Sequence, residues 1–431
     1  MNVLVFAYYF PPLGLSGVQR IAKFVKYLPA YNWTPYVVTP EPAAYFARDS
    51  TLLDEVLAAG VSVTRTASLD PTRLPSRRVI SQPTERVRKA LSGISQFVFI
   101  PDNKIGWLRA ATNAGRGLLA ERAFDAIIST APPYTAHLAG ARLSREFDLP
   151  LILDYRDDWI GNPRHSYPTP AHRYVHRRLE SSVIKQAANV VAINDVIADA
   201  IERRHRHMVG RVHVLSQGYD PGDLQRVRSV ARDEMRCEFF YGGVFYDAQR
   251  PDTFLHAVSR WVAENEQHRK RIQITFAGIL PEYAKALAAS IGIDDLLVDL
   301  GYLSHRDLCD RLMAADILWM TIGRTKGSEQ ISTGKLYEYM GTRKPILALV
   351  PPGTARRDLD RYSASFVVDP DDIEGTTAAI DRLFTRWSER SLPTASVEEV
   401  ARFDRRELAG RLAALLDETR SKKPFIRLRN G

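Results

Sequence analysis

Short apolar runs separated by longer amphipathic stretches recur along the chain. Asn2 to Tyr8 is the first such run and reads as a buried parallel strand. A loop rich in Pro and Gly, Phe10 to Gly17, follows it. Ile21, Phe24, Val25 and Leu28 then fall at helical spacing, which predicts a helix. Further strand-like runs lie at Thr34 to Thr39, Val61 to Thr64, Ala126 to Ser129, Leu151 to Tyr155, Val190 to Ile193 and Val212 to Leu215. Helical stretches separate most of them, and such alternation predicts an α/β sheet, parallel and doubly wound.

The pattern then restarts. Cys237 to Tyr241, Ile272 to Ala277, Leu297 to Leu300, Ile317 to Thr321, Pro345 to Leu349 and Ser365 to Val368 form a second array of short apolar strands. Between the arrays, Asp220 to Arg236 is polar and charged, as a linker should be. The expected organisation is an N-terminal Rossmann-like domain over 1–217 and a second over 218–396. A last helix, about Val397 to Asp417, crosses back onto the first domain, and a basic tail, Lys422 to Arg429, follows. Ligands of open α/β sheets bind outside the carboxyl ends of the strands, so the loops after strands are where chemistry is expected.

Length agrees with two cores, since 431 residues exceed what one ordinary domain holds. No run reaches the ~18 to 20 apolar residues of a membrane-spanning helix. Met1-Asn2 leads directly into Val3-Leu4-Val5-Phe6, without the basic leader of a signal peptide. Cys237 and Cys309 are too few for a disulfide framework or a zinc cluster and read as buried thiols. These features together point to the cytoplasm. The net charge of +9 favours an anionic partner: nucleic acid, a phosphorylated small molecule or an acidic membrane face. Neither zinc-finger spacing nor an RNP-type aromatic motif supports nucleic acid.

The strongest local signal is Gly327 to Met340, followed by Gly341-Thr342-Arg343-Lys344-Pro345. Here a small-residue loop containing Ser332 and Thr333 enters a helix at about Gly334. The free N–H groups and positive end of that helix suit a diphosphate. Lys335 sits in the first turn, where a cation opposes the helix dipole unless an anion is bound. Glu338, one turn on, has the acceptor oxygens for a pair of ribose hydroxyls.

At these residues the chain resembles the family-four glycosyltransferases with the GT-B fold. Their signature is a Glu, seven residues, then a second Glu opening a helix. Glu338 matches the second acid, and Tyr339-Met340-Gly341 with Lys344-Pro345 follows the pattern. Gln330 stands where the first acid is expected, and Glu329 is one residue out of register. The resemblance implies that Gln330 lies near the donor sugar's hydroxyls and that Glu338 holds the ribose.

The same resemblance covers Phe239 to Pro251, where a strand ends in Gly242-Gly243 and two cations are expected to neutralise the leaving diphosphate. Arg250 takes the place of the second cation. Val244 stands at the first, leaving Lys335, Arg324 or Lys326 to substitute. Gly14 and Gly17 match the family's Gly-rich loop after the first strand, whose backbone approaches the donor phosphates and the acceptor, and Arg20 follows on the helix. Asp154-Tyr155-Arg156-Asp157-Asp158-Trp159 resembles a variant of the acceptor-side motif. It makes Asp157 a candidate to orient the acceptor hydroxyl or take its proton, and Arg156 a candidate anion binder. His137, on a helix after another strand, reads as acceptor-side or structural. Gly278, after a strand, is a further family-like mark on the donor side, and Tyr302 and Leu303 fall where relatives contact the base through the backbone.

A second feature lies in residues 73–109. Arg73, Arg77, Arg78, Arg86, Arg88 and Lys89 stand near Phe97-Val98-Phe99-Ile100 and Trp107, a mixture that suits an acidic lipid interface. The resulting expectation is an enzyme of polysaccharide biosynthesis. It would move a hexose-type unit from a nucleoside-diphosphate sugar to a hydroxyl of a glycan or lipid-linked acceptor, with a peripheral membrane location as one option. Retention at the anomeric carbon is implied by resemblance, and no metal or other cofactor is expected. A sugar-nucleotide epimerase and a non-catalytic sugar-nucleotide-binding subunit are the alternatives.

Overall fold

Apolar runs too short for helices and too continuous for exposed strands end up as central parallel strands, covered on both faces. In a computed structural model, all residues are described except 15, 43–47, 71–92, 163–164, 166, 226–227, 246–248 and 422–431. The chain divides into two units, Met1–Ser216 with Arg406–Gly431, and Gln217–Arg405.

In the first unit the strands are β1 (Asn2–Phe6), β2 (Thr34–Pro40), β3 (Ser62–Thr66), β4 (Ala126–Ala131), β5 (Leu151–Tyr155), β6 (Ala187–Ala192) and β7 (Val212–Val214). They pair in parallel in the order β3-β2-β1-β4-β5-β6-β7. Strand order therefore reverses between β1 and β4, with Val3 opposite Ala126 and Phe6 opposite Ser129. One face of the sheet is covered by the helix Ser16–Tyr27, through Ile21, Phe24 and Val25, and by Leu408, Leu412 and Leu416 of the helix Arg405–Ser421. Each such buried side chain contributes roughly 1.5–3 kcal/mol. Trp33 Nε1 donates to Asp417 Oδ1 at 3.0 Å and pins the returning helix.

The second unit repeats the plan with β8 (Cys237–Val244), β9 (Ile272–Ile279), β10 (Leu297–Asp299), β11 (Ile317–Thr321), β12 (Ile346–Leu349) and β13 (Ser365–Val368). Their order is β10-β9-β8-β11-β12-β13, again parallel, so the reversal falls between β8 and β11. The molecule is thus α/β with two Rossmann-like units. Cys237 and Cys309 are both buried thiols.

The terminal helix departs from the single element predicted over Val397 to Asp417. It forms two helices, Val397–Ala401 and Arg405–Ser421. Phe403 turns into the core against Tyr337, with ring centroids 4.8 Å apart. Tyr219 accepts from Arg405 N and donates to Phe403 O, both at 3.0 Å. A backbone engaged by this bridge cannot continue a helical ladder.

Candidate functional site

At the strand-order reversal of the second unit, β8 ends in Tyr241-Gly242-Gly243-Val244 and the helix Gly334–Gly341 begins nearby. Tyr339 fastens the two together, its hydroxyl accepting from Gly242 N at 2.7 Å. Gly243 and Gly278 lie side by side at φ of +134° and +136°. A Cβ on Gly278 would stand 1.9 Å from Gly243 O, and one on Gly243 would meet Lys335 Cε at 2.9 Å. Only glycine permits that approach together with that backbone conformation.

Lys335 occupies the space these glycines leave. Its ammonium lies 3.6 Å from the Tyr241 ring centroid. No carboxylate among the described residues forms an ion pair with it. Burial pulls its pKa down to about 7, with Glu338 opposing. A desolvated cation at the amino end of a helix has both its own charge and the dipole unanswered, and a phosphate answers both. Thr333 caps that helix, its side chain accepting from Leu336 N. Gly334 is buried, and Gln330 is half-buried at the end of the short turn Ser328–Gln330. The Ser332 hydroxyl points into the core, 2.7 Å from Tyr337 Oη, so its side chain supports the loop rather than facing outward.

Glu338 belongs to a charged chain that the sequence reading missed. His305 Nε2 lies 3.1 Å from Glu338 Oε1, and His305 Nδ1 lies 3.7 Å from Asp223 Oδ2. Burial works against charge on this imidazole. Cys309 and Glu338 outweigh it and hold the pKa well above the ordinary value. His305 therefore bridges two carboxylates and fixes the orientation of Glu338. It opens the helix His305–Ala314, directly after Gly301-Tyr302-Leu303-Ser304, in which Tyr302 is 45% exposed.

Two of the other cations considered from the sequence, Arg250 and Arg324, have carboxylate partners of their own. Arg250 is 2.9 Å from Asp252 Oδ1 and lies over the Tyr283 ring, so its described contacts are on its own helix start and on Tyr283. Arg324 pairs with Asp369 and Asp371. Lys326 is exposed.

The first unit's reversal point is also charged, but its charges close on themselves. Arg20 is 3% exposed; its Nη2 is 2.8 Å from Asp154 Oδ1, and its guanidinium also donates to the carbonyls of Leu215 and Ser216. Asp154 also accepts from Thr130 Oγ1 at 2.7 Å. Burial opposes its charge, yet the Arg20 guanidinium keeps its pKa below the usual carboxylate range. Arg156 donates to the carbonyls of Ala131, Gly17 and Pro132. Arg20 and Arg156 therefore tie the start of the helix Ser16–Tyr27 and β4 to the end of β5, where acceptor or phosphate contacts were expected of them. His137 is fully buried: Nδ1 lies 2.8 Å from Ser129 Oγ, Nε2 has no partner among the described residues, and burial lowers the pKa to about 3. A ring so enclosed is neutral and structural. Asp157 alone of this group is half-buried, while its neighbour Asp158 is buried and taken by Arg204. Trp159 stacks on Tyr134 at 4.5 Å and donates to His176 Nδ1 at 3.0 Å.

The two reversal points and the lysine-bearing glycine notch define the class: a two-unit α/β protein of the GT-B kind. Residues 18–218 match the family model described as the glycosyl transferase 4-like domain. Over that stretch, just under half of its length, the chain is similar to the GT4-like glycosyltransferases. No curated protein matches the sequence. Among solved structures, sucrose-phosphate synthase from Thermosynechococcus elongatus is similar at 14% identity and a TM-score of 0.65, covering 98% of this chain and 100% of that one. Anabaena HepE in complex with UDP and glucose is similar at 15% identity and a TM-score of 0.61, covering 97% and 100%. A putative UDP-N-acetylglucosamine 2-epimerase from Listeria monocytogenes is similar at 12% identity and 0.58, covering 98% and 97%. At such identities the likeness is one of fold.

Proposed function

We propose that the second unit binds a nucleoside-diphosphate sugar and that the chain transfers its sugar to a hydroxyl of a glycan or lipid-linked acceptor. One observation carries this reading: the ammonium of Lys335, without an ion-pair partner among the described residues, sits between a glycine notch and a helix start. In this reading the diphosphate rests against Lys335, Gly243, Gly278, Thr333 and Gly334. Glu338, steadied by His305, takes the ribose; Tyr302 and Leu303 flank the base; Gln330 faces the sugar. As the glycosidic bond breaks, charge grows on the leaving diphosphate, and Lys335 stabilises that charge more than it does the bound ground state. Arg250 is the second cation proposed for it. Asp157 takes or orients the acceptor hydroxyl's proton, and Arg20, Arg156 and His137 hold its loop in shape. Retention and independence from metal come from the family resemblance. An acidic membrane face is the second partner proposed, on the cytoplasmic side.

The test is a thermal-shift screen of UDP, GDP, ADP and their sugars against wild type and Glu338→Ala. A shift with one diphosphate series that vanishes in the variant is expected; an undiminished shift means the ribose is bound elsewhere. Transfer is then separated from epimerisation and from mere binding by product. Free diphosphate that forms only when acceptor is added belongs to a transferase.

A further inference from the structure

We propose that the first unit docks on an anionic lipid bilayer through the outward face of the helix Pro170–Ile184 and the short helix 93–98 beside its start. The surface stands on the first unit alone and does not depend on the transferase reading.

The helix Pro170–Ile184 is divided by charge. His176, Glu180, Val183 and Ile184 are buried. Arg173, Tyr174, Arg177 and Arg178 are exposed, at the spacing that puts them on one face. Glu180 is the helix's one acidic residue, and it is turned inward, 2.9 Å from Arg204 Nη2 and 3.1 Å from His205 Nε2. No carboxylate among the described residues forms an ion pair with Arg173, Arg177 or Arg178, while Arg178 lies 5.5 Å from the Tyr174 ring centroid. Like charges one turn apart weaken a helix, so this face carries charge that folding does not use.

Apolar side chains adjoin these cations. The helix 93–98 meets the start of Pro170–Ile184 through His172, whose Nε2 is 3.0 Å from Phe97 O and whose ring is 5.2 Å from the Phe97 ring. Phe97 and Val98 are nevertheless 57% and 61% exposed, and Tyr174 is 59% exposed. Of the lipid-interface residues expected from the sequence, Arg73 to Lys89 lie outside the described residues. Trp107 is fully buried and belongs to the core, its Nε1 donating to Thr66 Oγ1 at 2.8 Å. The surface therefore rests on Phe97, Val98 and a helix some seventy residues further on.

A nucleic acid would pair with the three guanidinium groups and stack a base on Phe97, but gains nothing from the exposed aliphatic side chain of Val98. An acidic bilayer uses both halves: phosphate headgroups take the arginines, and the aromatic and aliphatic side chains enter the interfacial layer. No helix among the described residues is long and apolar enough to cross a membrane, so contact would be from one side.

Vesicle sedimentation of the full chain tests this, with phosphatidylcholine alone and with phosphatidylglycerol added. The wild type is expected to sediment only with the anionic vesicles. Arg173→Glu/Arg177→Glu/Arg178→Glu should weaken that partitioning by about a hundredfold or more, at roughly 1 kcal/mol per cation near an acidic surface. Phe97→Ser/Val98→Ser should weaken it by about tenfold. All of these positions are exposed, so both variants should keep the wild-type unfolding temperature and any nucleotide-induced shift. Equal sedimentation with neutral and anionic vesicles, or full binding by the triple variant, overturns the proposal. So does binding of single-stranded RNA in place of vesicles.

Discussion

Both sheets reverse their strand order beside the first strand of the unit, and both carry basic side chains there, yet the two sets of cations behave differently. In the first unit Arg20 and Arg156 are buried among carboxylate and carbonyl oxygens, and the fold consumes their charge. In the second, Lys335 lies over an aromatic ring at a glycine notch, and no carboxylate among the described residues forms an ion pair with it. A satisfied cation marks scaffold; an unsatisfied one held in place marks a site for an anion. The comparison assigns stability to one reversal point and binding to the other, and mutations should separate the two.

The largest effect expected is on the scaffold side. Asp154→Ala leaves Arg20 buried without its counter-charge, which costs about 3–5 kcal/mol. Urea unfolding should register that loss, and an unchanged midpoint would break the comparison. Next, Gly278→Ala drives a Cβ into Gly243 O in a backbone conformation that L residues resist, for about 2–4 kcal/mol of stability and loss of nucleotide binding with it.

Lys335→Met should do the reverse. Stability holds or rises, because a desolvated ammonium is removed, while affinity for the nucleoside diphosphate falls by about 1.5–3 kcal/mol in calorimetric titration. His305→Ala should weaken the same binding by about 1 kcal/mol, with His305→Gln recovering part of it by donating to Glu338.

The most specific effect is with pH. Lys335 has a folded pKa of about 7, below its unfolded value of 10.5. Between those values the unfolded chain holds a proton that the folded chain has lost, so this group makes the nucleotide-free protein more stable as pH rises through that window. A bound diphosphate favours the ammonium. Nucleotide affinity should therefore fall over the same window, by at most about tenfold per pH unit, with proton uptake on binding. Calorimetry at pH 8 in buffers of different ionisation heat measures that uptake, which should be missing in Lys335→Met.

Much of this fold is readable in advance because parallel strands buried on both faces are almost uninterrupted apolar runs. Val3 to Phe6, Ile127 with Ile128, and Ile317 to Met320 admit no other placement. The break at Arg402 to Asp404 is not readable, since it depends on a backbone bridge from Tyr219, nearly two hundred residues away. Arg20 and Arg156 look like ligand-binding cations because a sequence does not reveal which carbonyl oxygens will surround a guanidinium. His305 did carry a usable signal, the same one that distinguishes Lys335. Each is a basic residue in the first turn of a helix, against the dipole, and only the fold reveals that carboxylates compensate His305 while none among the described residues pairs with Lys335.

The central claim is most directly tested by a crystal structure of the full chain soaked in turn with UDP, GDP and ADP. The account predicts diphosphate density beside Lys335 Nζ and the backbone of Gly243, with the ribose against Glu338. Diphosphate density away from the start of the helix Gly334–Gly341 would contradict it.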